Sequence, residues 1–250
     1  MLYNTTLAQL IERMLKVSLH GWVGGTATSG STTTTVDTAR DEPDDTFQNT
    51  SPQSRIHITS TTDGKAPVDE DRLVSDFANG TGTLTSTPAF TVATEAGDKY
   101  LLTTEYPWVE MVEAINIAID SLAPFNLIDQ VDETSLTLQS EVYEYPVPDH
   151  MVYIYRITQS DDNGKFFDPV PPHEWAILHT NPPKIKLLKL PNWMPDRHWA
   201  GDLFAPVSII AGNTLRVEGF IPQPHLVKAQ DICHLNPNYI VYYAASLLHA

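Results

Sequence analysis

Cysteine is almost absent from this chain. Cys233 is the only one in 250 residues, which excludes a disulfide scaffold. Long apolar runs are missing as well. No stretch approaches the roughly 18 uninterrupted apolar residues of a membrane-spanning helix, so no membrane contact is expected. Basic residues are scarce: 15 Lys and Arg stand against 31 Asp and Glu, a formal net charge of −16. A surface that grips phosphates needs the opposite sign, so sequence-specific nucleic-acid binding is not expected either. Charged residues of both signs make up only 18 % of the chain, below the roughly 25 % of an average soluble domain. Thr, Ser, Asn and Pro take their place, and these favour strands, turns and loops over long helices.

The negative excess has two readings. One is solubility alone; the other is a wall past which DNA slides without sticking. No export signal is visible, because Glu12, Arg13 and Lys16 interrupt the apolar residues of 1–21 and no basic segment precedes them. The chain is therefore expected to be made in a cytoplasm and not exported. Asn-x-Ser/Thr triplets at Asn4, Asn49 and Asn79 are then chance matches in a Thr-rich sequence.

Residues 4–19 read as an amphipathic helix. Thr6 and Gln9 have capping-box spacing, and Leu7, Leu10, Ile11, Met14 and Leu15 fall on one stripe. The Gly24-Gly25 pair is expected to end it. Eight of the ten residues from Thr26 to Thr35 are Ser or Thr, and their β-branching makes this a loop feeding a strand rather than a flexible linker. Asp41, Glu42, Asp44 and Asp45 then form an exposed acidic loop; they lack the spacing of a calcium loop. From Arg55 to Thr104 short strands are expected: 56–59, 81–85, 90–93 and 99–103. Asp63-Gly64, Asn79-Gly80 and Ala96-Gly97-Asp98 supply turns between them.

A helix is expected after Tyr106, with Pro107 in its first turn. Trp108, Val112, Ile115, Ile119 and Leu122 form one stripe, and Met111, Ala114, Ile117 and Ala118 a second. A helix apolar on two sides needs two covers. The second is either the chain's own β module or a neighbouring copy. Residues 134–220 return to strands (135–139, 151–158, 175–180, 184–190, 207–211 and 214–220). Thirteen prolines between Pro146 and Pro237 keep these strands short and make long surface arms plausible. The last helix opens at Asn236-Pro237 and runs through Tyr239, Tyr242 and Tyr243 with no stop signal before Ala250. Either the natural chain is longer or a partner orders this end.

No phosphate loop, dinucleotide fingerprint, nucleophile elbow or zinc-protease motif is present. Cys233 and His234 are adjacent, and neighbouring side chains point apart, so they do not suggest a catalytic dyad. His173, His179, His198 and His225 lack metal-ligand spacing. Glu141, Glu144 and Asp149 offer carboxylates for glycoside cleavage, as any acidic β protein does. No cofactor is expected. Aromatic residues are more informative. Trp193, Arg197 and Trp199 share a proline-bearing loop, and exposed Trp and Arg are common anchors of protein interfaces. The other reading is that these tryptophans fold back onto the sheet.

In order along the chain, several segments resemble a known family. They are the Ser/Thr run 25–38, Asp44-Asp45-Thr46-Phe47, the segment 74–85, Pro88-Ala89-Phe90, and 96–100. The helix carrying 113–119, the strand 213–219 and the Tyr/Ala-rich final helix complete the series. Their order is similar to that of tailed-phage head-to-tail adaptor and related neck proteins. Two departures stand out: the second half is unusually rich in Pro and Trp, and the final helix lacks a further segment. The resemblance implies a ring of identical copies, twelve to match the portal, between the portal and the next neck or tail ring of the virion. It implies passage of DNA through that ring and no enzyme activity. In such a ring Asp41, Glu42, Asp44 and Asp45 are expected to face the lumen and repel DNA within a Debye length of about 8 Å.

The expected fold is α+β: antiparallel β modules with a small helical bundle, and a strand-rich second half with extended loops. Residues 1–24 and 105–130 form the helical part and 25–104 a small antiparallel β module. Residues 131–235 form a second β-rich part with Pro/Trp-rich arms, and 236–250 the C-terminal helix. Trp108, Val112, Ile115 and Ile119 are expected at a subunit interface. Trp193, Arg197, Trp199, Tyr239, Tyr242 and Tyr243 are expected at partner contacts. The alternatives are a tail-fibre or receptor-binding β module, with exposed aromatic platforms for glycans and three-fold symmetry, and a carbohydrate-active enzyme.

Overall fold

The computed structural model describes residues 3–19, 22–47, 54–104, 106–122, 127–161, 163–188 and 211–249. Its elements in chain order are β1 (Thr5–Thr6), α1 (Leu7–Met14), β2 (Trp22–Thr26), β3 (Ser29–Gly30), β4 (Thr34–Val36), β5 (Arg55–Ser60), β6 (Asp71–Ala78), β7 (Thr83–Thr87), β8 (Lys99–Thr103), α2 (Trp108–Leu122), β9 (Leu127–Thr137), β10 (Glu144–Pro146), β11 (Tyr153–Ser160), β12 (Phe166–Pro169), β13 (Trp175–Leu178), β14 (Lys184–Leu187), β15 (Thr214–Pro222), β16 (Ile232–Cys233) and α3 (Pro237–Leu248). The fold is α+β and rich in antiparallel strands. It divides into one unit of residues 1–123 and 223–250 and another of 124–222. The helices thus share a unit with the first β module. Residues 223–235 belong with them too, since β16 pairs antiparallel with β1.

In the first unit a sheet runs β2-β8-β5-β6-β7-β4-β3. Its two outer strands are consecutive in the chain, joined only by Ala27 and Thr28. From Thr26 to Ser29 the chain spans at most about 10 Å, whereas seven flat strands would be about 29 Å wide. The sheet therefore closes into a barrel. Hydrogen bonds on both flanks of the joint seal it: Ala27 N donates to Asp98 O at 2.8 Å, and Thr28 N to Val36 O at 2.7 Å. Gly24 and Gly25 lie within the strand β2 instead of ending the preceding segment. A side chain at Gly25 would overlap the Asp37 carboxylate and the Tyr100 hydroxyl. The expected strand at 90–93 is not formed; Phe90 N donates to Thr32 O at 2.7 Å and its side chain joins the barrel core.

Ile56, Ile58, Val74, Phe77, Leu84, Tyr100 and Leu102 fill the barrel, with Phe47 and Phe90 among them. Alternation along β5 sends Ile56 and Ile58 inward and His57 and Thr59 outward. The outward pair is nevertheless buried, because the helices pack on that side. Leu101, on the outer face of β8, joins the helical core with Leu7, Leu10, Ile11, Met14, Trp108, Met111, Ile115, Ile119, Ile240 and Val241. Helix α1 starts with the expected capping box: Gln9 N donates to Thr6 Oγ1 and Thr6 N to Gln9 Oε1 at 3.0 Å. A wider π-type turn extends it through Leu15–Leu19. At α3, Asn236 Oδ1 accepts from Asn238 N and Pro237 occupies the first turn.

The second unit has a four-stranded sheet, β12-β11-β15-β9, and a three-stranded one, β10-β14-β13. Ile154, Ile157, Leu215 and Val217 of the first share a core with Tyr145, Ile185 and Leu187 of the second, as in a small sandwich. The expected strand 207–211 falls almost wholly outside the described residues.

Candidate interaction surfaces

Helix α2 is covered on both of its apolar stripes by its own chain. Trp108, Ile115 and Ile119 are buried against α1, α3 and the barrel, as are Met111, Ala114 and Ala118. This corrects the expected subunit interface. Three of its four residues have no surface left to offer, and Val112 is half-buried against the same core. Ile117 alone of the second stripe faces solvent.

Helix α3 differs. Its inner residues Ile240, Val241, Ala244 and Ala245 are buried, while Tyr239, Tyr242, Tyr243 and Leu247 are 41, 59, 36 and 36 % exposed. Their spacing places them on one continuous face. Tyr239 and Tyr243, four residues apart, stack at 5.7 Å and 13°. None of the twelve residues of α3 is charged. Trp193, Arg197 and Trp199 lie outside the described residues.

The acidic loop 41–45 is held more firmly than a solvated turn requires. Asp41, Asp44 and Asp45 are exposed and Glu42 is half-buried. Arg40 Nη1 donates to Glu42 at 2.8 Å, and Asn79 N to Asp44 Oδ1 at 2.6 Å. Behind the loop, Arg40 is buried. Its Nε donates to Tyr100 Oη at 2.9 Å and its Nη2 to Gly24 O at 2.9 Å. Tyr100 in turn donates to Asp37 Oδ2 at 2.8 Å. Burial works against the Arg40 charge, but bonding to Tyr100 and Glu42 outweighs it and holds the guanidinium pKa above its ordinary value. Burial also pushes the Tyr100 phenol up.

Two further features emerge only in the fold, although Tyr153 and Tyr155 already belong to the aromatic residues concentrated in the second half of the sequence. On the open face of the four-stranded sheet, Phe220 lies between Tyr153 (5.9 Å) and Tyr155 (5.1 Å), both exposed. Their cross-strand placement follows from the register Tyr153↔Phe220. Beneath α2, His57 is 2 % exposed and stacks flat on Trp108 at 3.6 Å and 7°. Neither of its ring nitrogens has a hydrogen-bond partner. Burial lowers its pKa to about 3. Attraction between an imidazolium and the indole face opposes this by about 0.5–2 kcal/mol. That is less than the roughly 5 kcal/mol implied by the shift, so the ring is neutral at pH 7.

The residues with enzyme-like chemistry are spread over both units. Cys233 is buried, which raises its thiol pKa. The His234 ring meets Tyr3 O at 2.9 Å. Glu144 pairs with Lys184 at 3.2 Å, and Glu141 and Asp149 are exposed on loops. His225 meets Asp120 at 2.8 Å. His198 lies outside the described residues. Among the described residues no three His, Cys, Asp or Glu side chains gather as a metal site, and no helix is long and apolar enough to cross a membrane. No family model matches the chain, and neither does any curated protein or solved structure.

Proposed function

We propose that this chain is a virion structural protein, a head-to-tail adaptor whose copies form a ring between the portal and the tail and let DNA pass. The observation that carries the reading is the charge-free tyrosine face of α3. Molecules that each carry −16 repel one another, so copies associate where formal charge is absent and apolar surface is present. Helix α3 offers both. In a closed ring the contact is heterologous: this face meets a different surface of the neighbour. Tyrosine suits that role because it supplies large contact area with few rotatable bonds. The pinned acidic loop 41–45 supports the reading as a fixed negative rim that turns DNA away.

Native mass spectrometry of the protein, alone and mixed with portal rings, tests this. A closed ring of about twelve copies in either sample is the expected result, and Tyr239→Asp/Tyr242→Asp should abolish it. A monomer in both samples would refute the reading. One observation favours a second reading, a receptor-binding β module: the exposed Tyr153 and Tyr155 flanking a half-buried Phe220. Trimers that retain glycans on an array, and lose them in Tyr153→Ala, would select it.

A further inference from the structure

His57, Trp108 and Asp71 occupy one junction between the barrel and the helical layer. His57 and Asp71 are cross-strand partners in the β5–β6 register, so their side chains leave the sheet on the same face. Asp71 is bound by Arg55 through Oδ2 alone: Arg55 Nε donates to it at 2.6 Å. Its Oδ1 is buried and has no hydrogen-bond partner. A buried carboxylate oxygen without a donor thus shares a rung with a buried imidazole without an acceptor. The His57 ring is engaged instead by the Trp108 indole, in the first turn of α2. Buried polar atoms are ordinarily paired. Unpaired donor and acceptor positions on one rung are what a side chain with two resting places leaves behind.

We propose that these three residues form an acid-operated latch: neutral His57 clamps α2 by stacking on Trp108, and protonated His57 turns to Asp71 Oδ1 and releases the start of α2 from the barrel. The step is a proton uptake from solvent at one ring nitrogen, followed by a new N–H···O bond to Asp71. The other charged groups around the ring do not compete for it. Arg55, on its own strand, is already engaged with Asp71. On α2, Glu110 and Glu113 are exposed. Lys99 of β8 and Lys228 are also exposed. In the segment 226–231, Asp231 accepts from Val227 N and Lys228 N. Asp69, preceding β6, accepts from Ala229 N at 2.7 Å. Leu101, the rung neighbour on β8, is uncharged. The inference goes beyond the adaptor reading and does not depend on it.

Hydrogen exchange of the intact protein, expressed as protection factors, tests the latch between pH 7.5 and pH 5. A ring held near pKa 3 while stacked and, once paired with Asp71, above the free value of about 6.5 predicts that protection of residues 108–115 falls by more than about 30-fold over that range. Amides of β6 and β7, which open only with the whole unit, should stay better protected than residues 108–115 at both pH values. His57→Phe retains a flat ring on Trp108 but cannot titrate, and should abolish the fall. Asp71→Asn withholds the charged acceptor and should diminish it. An equal fall in His57→Phe would overturn the proposal, as would residues 108–115 staying as well protected as the barrel strands at pH 5. Should His57→Phe not fold, histidine-selective 15N NMR of the unaltered protein decides. Protonation of His57 together with loss of α2 protection supports the latch. Protonation with α2 still protected overturns it.

Discussion

Tyr100→Phe is the most informative single perturbation of the barrel, because one oxygen atom links two buried charges. The hydroxyl accepts from Arg40 Nε at 2.9 Å and donates to Asp37 Oδ2 at 2.8 Å. Both partners are at least nine-tenths buried. Hydrogen bonds to charged groups contribute about 1.5–3 kcal/mol each, so removing both costs at most about 6 kcal/mol. Part of this returns. Arg40 Nε lies 3.7 Å from Asp37 Oδ2 and can close on it directly, and the guanidinium keeps Gly24 O and Glu42. A net loss of about 2–3 kcal/mol is expected, read as a lower urea midpoint at constant slope. Gly25→Ala attacks the same network from the strand, by forcing a methyl against the Asp37 carboxylate and the Tyr100 hydroxyl. In the double variant the methyl still meets the ring Cζ and the Asp37 carboxylate, but a network the methyl has already displaced has less left to lose. The two losses should therefore fall short of additivity by about 1 kcal/mol. A loss below about 0.5 kcal/mol for Tyr100→Phe, or full additivity, would refute this account of the network.

Three other outcomes follow from the same geometry. Burial holds His57 near pKa 3 against about 6.5 in the unfolded chain. The neutral ring therefore contributes full stability above pH 6.5, and about 2 kcal/mol is lost as pH falls to 5; urea melts at both pH values should show this in the wild type and not in His57→Phe. Ile115→Asp, at a fully buried position, should unfold the first unit rather than block assembly alone, and circular dichroism of the variant distinguishes the two. Thr6→Ala removes the hydroxyl half of the α1 capping box and should cost about 1 kcal/mol in thermal melts.

The helices were legible in the sequence because their signals are local. The Thr6 and Gln9 capping pair, Pro107, and Asn236-Pro237 each sit within one turn of the end they mark. The strands β11, β13, β14 and β15 were legible from alternation and flanking turn residues. Barrel closure was not, because it depends on Ala27 and Thr28 finding partners far along the chain at Asp98 and Val36. Gly24-Gly25 misled for the same reason: within this turn-forming pair, Gly25 is required by close approach of Tyr100 and Asp37, not by a turn. The two stripes of α2 correctly announced two covers, but periodicity carries no record of which molecule supplies them. The exposed tyrosines of α3 were identifiable as aromatic and helical. The stacking of His57 on Trp108 was not, since nothing in a four-residue alternation says that its polar side will be roofed by a helix.

The seam at residues 26–29 leaves the seven-stranded sheet without a free backbone edge along that stave. A stray strand from another molecule has no open row of amides and carbonyls there to add to. Crowding therefore finds no strand edge at this seam from which to seed a fibril.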